Sequence, residues 1–204
     1  MMTPVHQIGS EKADIISKFI VNDILQIVNR LTGRRSIQMN LNYSRFGNIM
    51  LHLQIKRGSP PMSAPKWERL NFDKYGFSLD ATSYVPSQGS PGIDMKLTIN
   101  PLSEIESISN LEHLLLDTIR HEIEHIQTAD GQDQSIKKTH QSSYKYFLLS
   151  DEIPAALAGL RLLAKNRGTD LSTEIDNYLQ PFIDSRFMTD SEASRVKLTW
   201  LSHA

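Results

Sequence analysis

The sequence has no cysteine among its 204 residues. Disulfide bonds and thiolate metal sites are therefore excluded, so any bound metal must be held by His, Asp or Glu side chains. A surplus of charge is also missing, because 22 Lys and Arg residues face 23 Asp and Glu residues, for a net charge of −1. Near-neutral charge gives no reason to expect a nucleic-acid or membrane partner.

Long apolar runs are missing as well. No run approaches the length of a membrane span, and the N-terminus lacks the apolar segment of a signal peptide. We therefore expect a cytoplasmic protein, or one in the host cytoplasm if a phage encodes it. A chain of 204 residues with 39% hydrophobic residues predicts one domain over 1–204 with a sizeable core.

One motif carries most of the chemical information, and it is His121-Glu122-x-x-His125. Residues four apart on an α-helix lie one above the other, so both imidazoles can point at a single metal ion. Glu122 lies about 100° around the helix from His121, where it can reach a water on that metal without ligating it. Two zinc ligands and a general base in this order are typical of metalloproteases.

The motif falls in a predicted helix over 110–129, with Asn110 as its N-cap. Asp117 lies one turn before His121 on the same face. It either orients that imidazole or is an ordinary exposed aspartate. The two histidines flank an apolar stripe at helical spacing, which consists of Leu111, Leu115, Leu116, Ile119, Ile123 and Ile126.

A third ligand, Glu152, is predicted on a helix over 150–167. Ser150 as N-cap places Glu152 in the first turn, where Pro154 is tolerated because first-turn amides lack intrahelical partners. Small residues follow Glu152 at spacings of three, four and seven, and they are Ala155, Ala156 and Gly159. Such a stripe lets another helix approach closely enough to bring Glu152 to the two histidines.

Other interpretations of these residues stay open. An acidic residue near a helix N-terminus often only complements the helix dipole, which would explain Asp151 and Glu152 without a metal. Asp130 and Asp133 are alternative carboxylate ligands, although their position so soon after His125 points them away from the metal. The histidines could also be two solvated residues on a polar helix face, and the motif an accident.

From about residue 110 to residue 165, these motifs resemble the zincin superfamily of zinc metallopeptidases. The gluzincins, whose third ligand is a glutamate, are the most similar branch. The resemblance implies Zn²⁺ held by His121, His125 and Glu152, with Glu122 activating the water. The style of the second motif is also similar to that of compact zincin-like proteins of phages and bacteria.

The sequence differs from the motifs of two branches of the zincin superfamily. Thr128 and Gly131 stand where the metzincin branch has a glycine and a third histidine, and Ala156 stands where many gluzincins carry an acidic residue. A zincin also needs a hydrogen-bond donor for the oxyanion, commonly Tyr or His. The candidates for this donor, chosen only because they lie near the motifs in the sequence, are Tyr144, Tyr146 and His140. Both tyrosines could instead simply pack at the helix junction.

The whole chain predicts an α+β, zincin-like fold, in which a small mixed or antiparallel sheet packs against the active-site helix and further helices. An N-terminal helix over 10–32 starts at a Ser10 cap and ends at Gly33. The sheet region over 36–100 contains four alternating segments, and by resemblance we nominate its last strand, at 93–100, to pair with an extended substrate.

The C-terminal helices, over 172–201, supply apolar contacts. Ser172 is predicted to cap the first of them and Pro181 to interrupt it. We interpret this segment as a cover over the core or one wall of a cleft, with Trp200 as a core or surface anchor.

Three functional hypotheses follow. The leading one is a zinc-dependent hydrolase, a metallopeptidase acting on a peptide or protein substrate. The alternative is a zincin-like binding or structural module without turnover, for example in a phage particle or toxin complex. The third is an α+β protein without metal. The complete motif favours the enzyme, because a purely structural zinc site has no need of Glu122. The oligomeric state is not predicted.

Overall fold

The structure, a computed structural model, describes residues 9–31, 36–46, 48–59, 69, 72, 75–100, 108–128 and 144–204. These residues form five α-helices and four β-strands, so the predicted α+β class is confirmed. In chain order the elements are α1 (Ser10–Asn29), β1 (Ser36–Tyr43), β2 (Ile49–Arg57), β3 (Phe77–Tyr84), β4 (Gly92–Ile99), α2 (Ile108–Thr128), α3 (Glu152–Arg167), α4 (Leu171–Asp184) and α5 (Asp190–Ser202). Short 3₁₀ turns occupy Ser44–Phe46 and Tyr144–Leu148.

The four strands form one mixed sheet with the order β1-β2-β4-β3. β2 and β4 are parallel, and both outer pairs are antiparallel. β4, the strand nominated for substrate pairing, therefore lies inside the sheet, and that nomination is wrong. Among the described strands, β3 is an outer strand instead. It is hydrogen-bonded to β4 on one side and to no other described strand.

The alternation of apolar and polar residues fixes which face of the sheet is buried. The inward side chains pack against α1 and α2 and are almost fully buried; they include Leu51, Leu53, Ile55, Ile93, Met95 and Leu97. Polar residues such as Asn40 and His52 point to the opposite face. Each of the four alternating segments thus became a strand with its apolar side on the core.

The first helices start near, but not at, the predicted residues. Gly9 is the N-cap of α1 and Ser10 is its first helical residue. Asn110 lies inside α2, which begins two residues earlier. On α1, Ile15 and Phe19 are 53% and 47% exposed, because they lie one residue around the helix from the buried stripe. The predicted end was too late, because α1 ends at Asn29 with Arg30 as its C-cap, whereas the helix was predicted to reach residue 32; Gly33 itself lies outside the described residues.

The later helices show the same small offsets. Asp151, not Ser150, is the N-cap of α3, so Glu152 is its first residue. Asp170, not Ser172, caps α4, and its carboxylate accepts a hydrogen bond from the Thr173 amide at 2.9 Å.

Pro181 lies inside α4 and does not divide it. A proline inside a helix removes one backbone hydrogen bond, and here burial of Ile175, Leu179 and Phe182 on the same helix offsets that loss. α5 begins with a capping box between Thr189 and Glu192.

Two hydrophobic clusters meet at α3. The first lies between the sheet, α1 and α2 and reaches Leu162, whereas the second joins α3 to α4 and α5 through residues such as Leu160. Trp200 is fully buried in the second cluster, and its indole N–H donates to the Phe147 carbonyl oxygen at 2.7 Å. Trp200 is therefore a core residue, which is one of the two roles expected for it. Trp67, the other tryptophan of the sequence, lies outside the described residues.

None of the helices in the described part of the chain is long and apolar enough to cross a membrane.

Candidate metal centre

The rotation of α2 about its axis is fixed by its apolar stripe. Leu115, Ile119 and Ile123 are fully buried against the sheet side of the core. His121 and His125 lie beside that stripe, one turn apart, with their Nε2 atoms 3.0 Å from each other. The two imidazoles therefore converge as the i, i+4 spacing predicts.

α3 reaches this pair because a glycine allows close contact between the helices. A Cβ built on Gly159 would collide with the Asp117 carboxylate and lie 2.6 Å from the Asp117 carbonyl oxygen. Ala155 and Ala156, on the same helix, are also buried. The predicted role of the small-residue stripe is confirmed at Gly159, which lies directly against the α2 backbone.

The Glu152 carboxylate lies across from the two imidazoles. Its Oε2 atom is 3.4 Å from His121 Nε2, and its Oε1 atom is 3.6 Å from His125 Nε2. A tetrahedral zinc ion with bonds of about 2.0–2.1 Å separates its ligand atoms by about 3.3 Å. Each of the three residues therefore offers a ligand atom within 4.8 Å of the others, which is close enough for the group to hold one metal ion.

The neighbours of the buried Glu152 carboxylate satisfy it only in part. Its residue is 2% exposed, and neither oxygen accepts a hydrogen bond of good geometry from the described residues. Burying an ionised carboxylate without a partner is costly, so such groups are paired or bind metals. Together the orphaned oxygens and the two imidazoles fit a divalent cation with nitrogen and oxygen ligands.

The electrostatics of the three residues favour the same arrangement. Burial alone would raise the pKa of Glu152, but the His121 and His125 imidazoles and the Tyr146 hydroxyl outweigh it and hold that pKa well below its usual value. Burial would lower the pKa of His121, but Glu152, Glu122 and Asp117 outweigh it and raise that pKa. The site thus concentrates negative charge where a cation would lie.

Asp117 is buried behind His121, with 8% of its surface exposed. The interpretation as an exposed aspartate is therefore wrong. Burial raises the pKa of Asp117 to about 6, with the opposing charge of His121 as the next contribution. Its position one turn before His121 is consistent with orienting that imidazole, and this role stays a prediction.

Glu122 is buried on the side of α2 that faces β3. Its Oε2 atom accepts a hydrogen bond from the Ser83 backbone amide at 2.7 Å. The carboxylate is thus tied to the outer strand and not to the three converging donors.

His121, Glu122 and Glu152 line a cleft of about 570 Å³ between β3, α2 and α4. α4 contributes Asn177, Tyr178 and Phe182 to its wall, so the C-terminal helices do form one side of a cleft. Burial and then the charges of Asp117, Glu152 and Glu122 raise the pKa of Tyr178, whose side chain lines the same cleft.

A polar network lies at the end of the cleft away from His125. Arg167 pairs with Glu174 at 2.9 Å and donates to His113 Nδ1 at 3.0 Å. Thr169 donates to the other Glu174 oxygen at 2.6 Å. Burial and the Arg167 charge lower the pKa of His113. The network joins α2, α3 and α4 through polar contacts that the sequence did not indicate.

The other candidates of the sequence have mixed outcomes. Tyr146 lines the cleft, and burial together with the Glu152 charge raises its pKa. Tyr144 packs against the C-terminal cluster instead. His140, Asp130 and Asp133 lie outside the described residues.

Two groups at the site were missed, and for different reasons. The Ser83 amide is a backbone group with no signature in the sequence. Tyr178 lies on α4, which sequence analysis treated as packing only, and a tyrosine on a buried helical stripe looks the same in either role.

No family model, curated protein or solved structure matches this chain.

Proposed function

We propose that this protein is a zinc-dependent hydrolase of zincin type that cleaves peptide bonds. In this proposal His121, His125 and Glu152 hold the zinc ion, and Glu122 is the general base. The observation that supports it best is the convergence of two imidazoles and one buried carboxylate, which accepts no hydrogen bond of good geometry from the described residues. A complete His-Glu-x-x-His motif with Glu122 beside the donors then favours catalysis over a structural site.

When bound, zinc supplies a Lewis acid for the scissile carbonyl and lowers the pKa of an attacking water to about 7. Glu122 accepts the proton of that water and later returns it to the leaving amine. Since its Oε2 atom is held by the Ser83 amide at 2.7 Å, Oε1 is the oxygen that can accept the proton. Tyr146 and Tyr178, which both line the cleft, are the candidate donors to the oxyanion.

The substrate would lie along β3. The side of this strand that does not pair with β4 faces the cleft, and Leu79 and Ala81 line it. An extended peptide can add to such an edge through backbone hydrogen bonds, so that peptides of many different sequences can bind. Zincin-like use of a sheet edge therefore fits β3, the strand beside α2, and not the internal β4.

The test is a peptide-library digest with and without a chelator, on the wild type and on Glu122→Gln. We expect chelator-sensitive cleavage by the wild type, and a Gln variant that keeps its zinc but cleaves at least 100-fold more slowly. Glu112→Gln, at an exposed position of the same helix, is the matched control and should cleave normally. Bound zinc without any cleavage would support the binding or structural module instead.

A further inference from the structure

The hydrogen bond from Ser83 to Glu122 uses an amide that the sheet leaves available. Ser83 faces Ile93 across the β3–β4 pair, and Gly76 accepts a hydrogen bond from the Asn100 amide at 2.7 Å. In an antiparallel pair, residues that exchange hydrogen bonds alternate with residues whose backbone groups point away. Counting from Gly76, even-numbered residues of β3 pair with β4 and odd-numbered residues point outward.

The same alternation applies to Ala81, two residues before Ser83. As an odd-numbered residue of β3, Ala81 turns its backbone N–H and C=O groups away from β4. Ser83 and Ala81 thus present equivalent outward backbone groups about 6.8 Å apart along the strand, and Glu122 occupies the amide of Ser83.

We infer that the outward amides of β3 have two different roles, in which the Ser83 amide positions the general base and the Ala81 amide is left for substrate. The inference rests on the proposed function, and it makes Ser83 a positioning residue that acts through its backbone. Glu122 must hold one oxygen in reach of the attacking water, and a hydrogen bond to the other oxygen restricts its rotation.

Both ends of this hydrogen bond are rigidly held. On the β3 side, the Tyr84 hydroxyl lies 2.8 Å from His52 Nε2. A Cβ at Gly92 would collide with that hydroxyl and lie 2.7 Å from the Met50 carbonyl oxygen, so the phenol packs on the β4 backbone. The residue next to Ser83 is therefore fixed across three strands. On the α2 side, burial of the apolar stripe fixes the position from which Glu122 extends.

Proline substitutions separate the two amides. Proline has no N–H, and at an outward position of an edge strand it removes no hydrogen bond of the sheet. Ser83→Pro therefore deletes the donor to Glu122, and Ala81→Pro deletes the equivalent donor two residues away. Ser83→Ala changes only the side chain and controls for it.

The two proline variants, loaded with zinc, should each change a different kinetic constant. We expect Ser83→Pro to lower kcat by about 10- to 100-fold, as for loss of a hydrogen bond to a charged group, with KM nearly unchanged. Ala81→Pro should raise KM about 5-fold and leave kcat nearly unchanged, because it removes a contact that binds substrate and transition state alike. Equal effects of the two prolines on kcat and KM would overturn the inference.

A measurement without turnover covers the case in which Ser83→Pro does not fold. The Ser83 amide proton is followed by NMR in the wild type and in Glu122→Ala. We expect a downfield, slowly exchanging signal that moves upfield and exchanges on the order of tenfold faster in the variant. An identical Ser83 signal in an active wild type and in Glu122→Ala would overturn this inference alone. A wild type without any turnover would overturn the proposed function, and the positioning role with it.

Discussion

A single methyl group added at Gly159 should push α3 away from α2 and weaken metal binding. The added Cβ would lie 2.6 Å from the Asp117 carbonyl oxygen, whereas ordinary contact begins at 3.4 Å. The helices must therefore separate by about 0.8 Å at this point, because a packed backbone cannot yield as a flexible side chain does. Glu152 extends from the same helix two turns earlier, so the separation moves its carboxylate away from the imidazoles.

Two opposing terms set the effect of Gly159→Ala on stability. Overpacking a helix contact destabilises by about 1–3 kcal/mol, whereas alanine is favoured over glycine inside a helix by about 1 kcal/mol. We expect a net loss of up to about 2 kcal/mol in the free energy of unfolding. Zinc affinity should fall about 10- to 100-fold, as for changes that displace a ligand without removing it.

The assay is urea unfolding of the metal-free protein together with a competition titration of zinc against a chelator. Arg161→Ala, on the exposed side of the same helix, is the matched control and should change neither quantity appreciably. A Gly159→Ala protein that is about 1 kcal/mol more stable than the wild type and binds zinc as tightly would refute the close contact of the two helices.

Two further predictions concern charge. Because burial raises the pKa of Asp117 from 3.8 to about 6, the folded metal-free protein binds this proton more tightly than the unfolded chain. The contribution of Asp117 to the free energy of unfolding should therefore rise by about 2 kcal/mol as pH falls from 6 to 4, in urea titrations, and Asp117→Asn should remove that gain. Arg120 is 2% exposed and pairs with Asp14 at 3.0 Å. Arg120→Ala should therefore cost about 3 kcal/mol in the free energy of unfolding, and it should leave the pH dependence of stability near pH 5 in place. Lys197→Ala, in an exposed ion pair, should cost less than about 1 kcal/mol, and equal losses would contradict this comparison.

The periodic parts of the sequence predicted the fold well. Alternating residues placed all four strands, because one face of the sheet is buried on helices and the other carries polar side chains. Helical spacing placed the ends of α1 and α2 to within about three residues. The N-caps were the weakest part, since Ser10, Asn110 and Ser150 are all sensible caps, but Gly9 and Asp151 cap α1 and α3, and Asn110 lies inside α2.

The candidate metal centre was likewise predicted only in part. His121 and His125 converge through local helical geometry, and the small-residue stripe correctly predicted the approach of α3. The order of the strands could not be read from the sequence, because it depends on pairing between distant segments. The nomination of β4 as the strand that pairs with substrate was therefore wrong. The contact of Glu122 with Ser83, 39 residues away, depends on that order.

The most direct test of this account is the zinc content of the purified protein, measured by elemental analysis in the wild type and in Glu152→Ala. The account predicts about one zinc per chain in the wild type and almost none in the variant at the same free zinc concentration. A wild type without zinc, or a Glu152→Ala protein that keeps as much as the wild type, would contradict it.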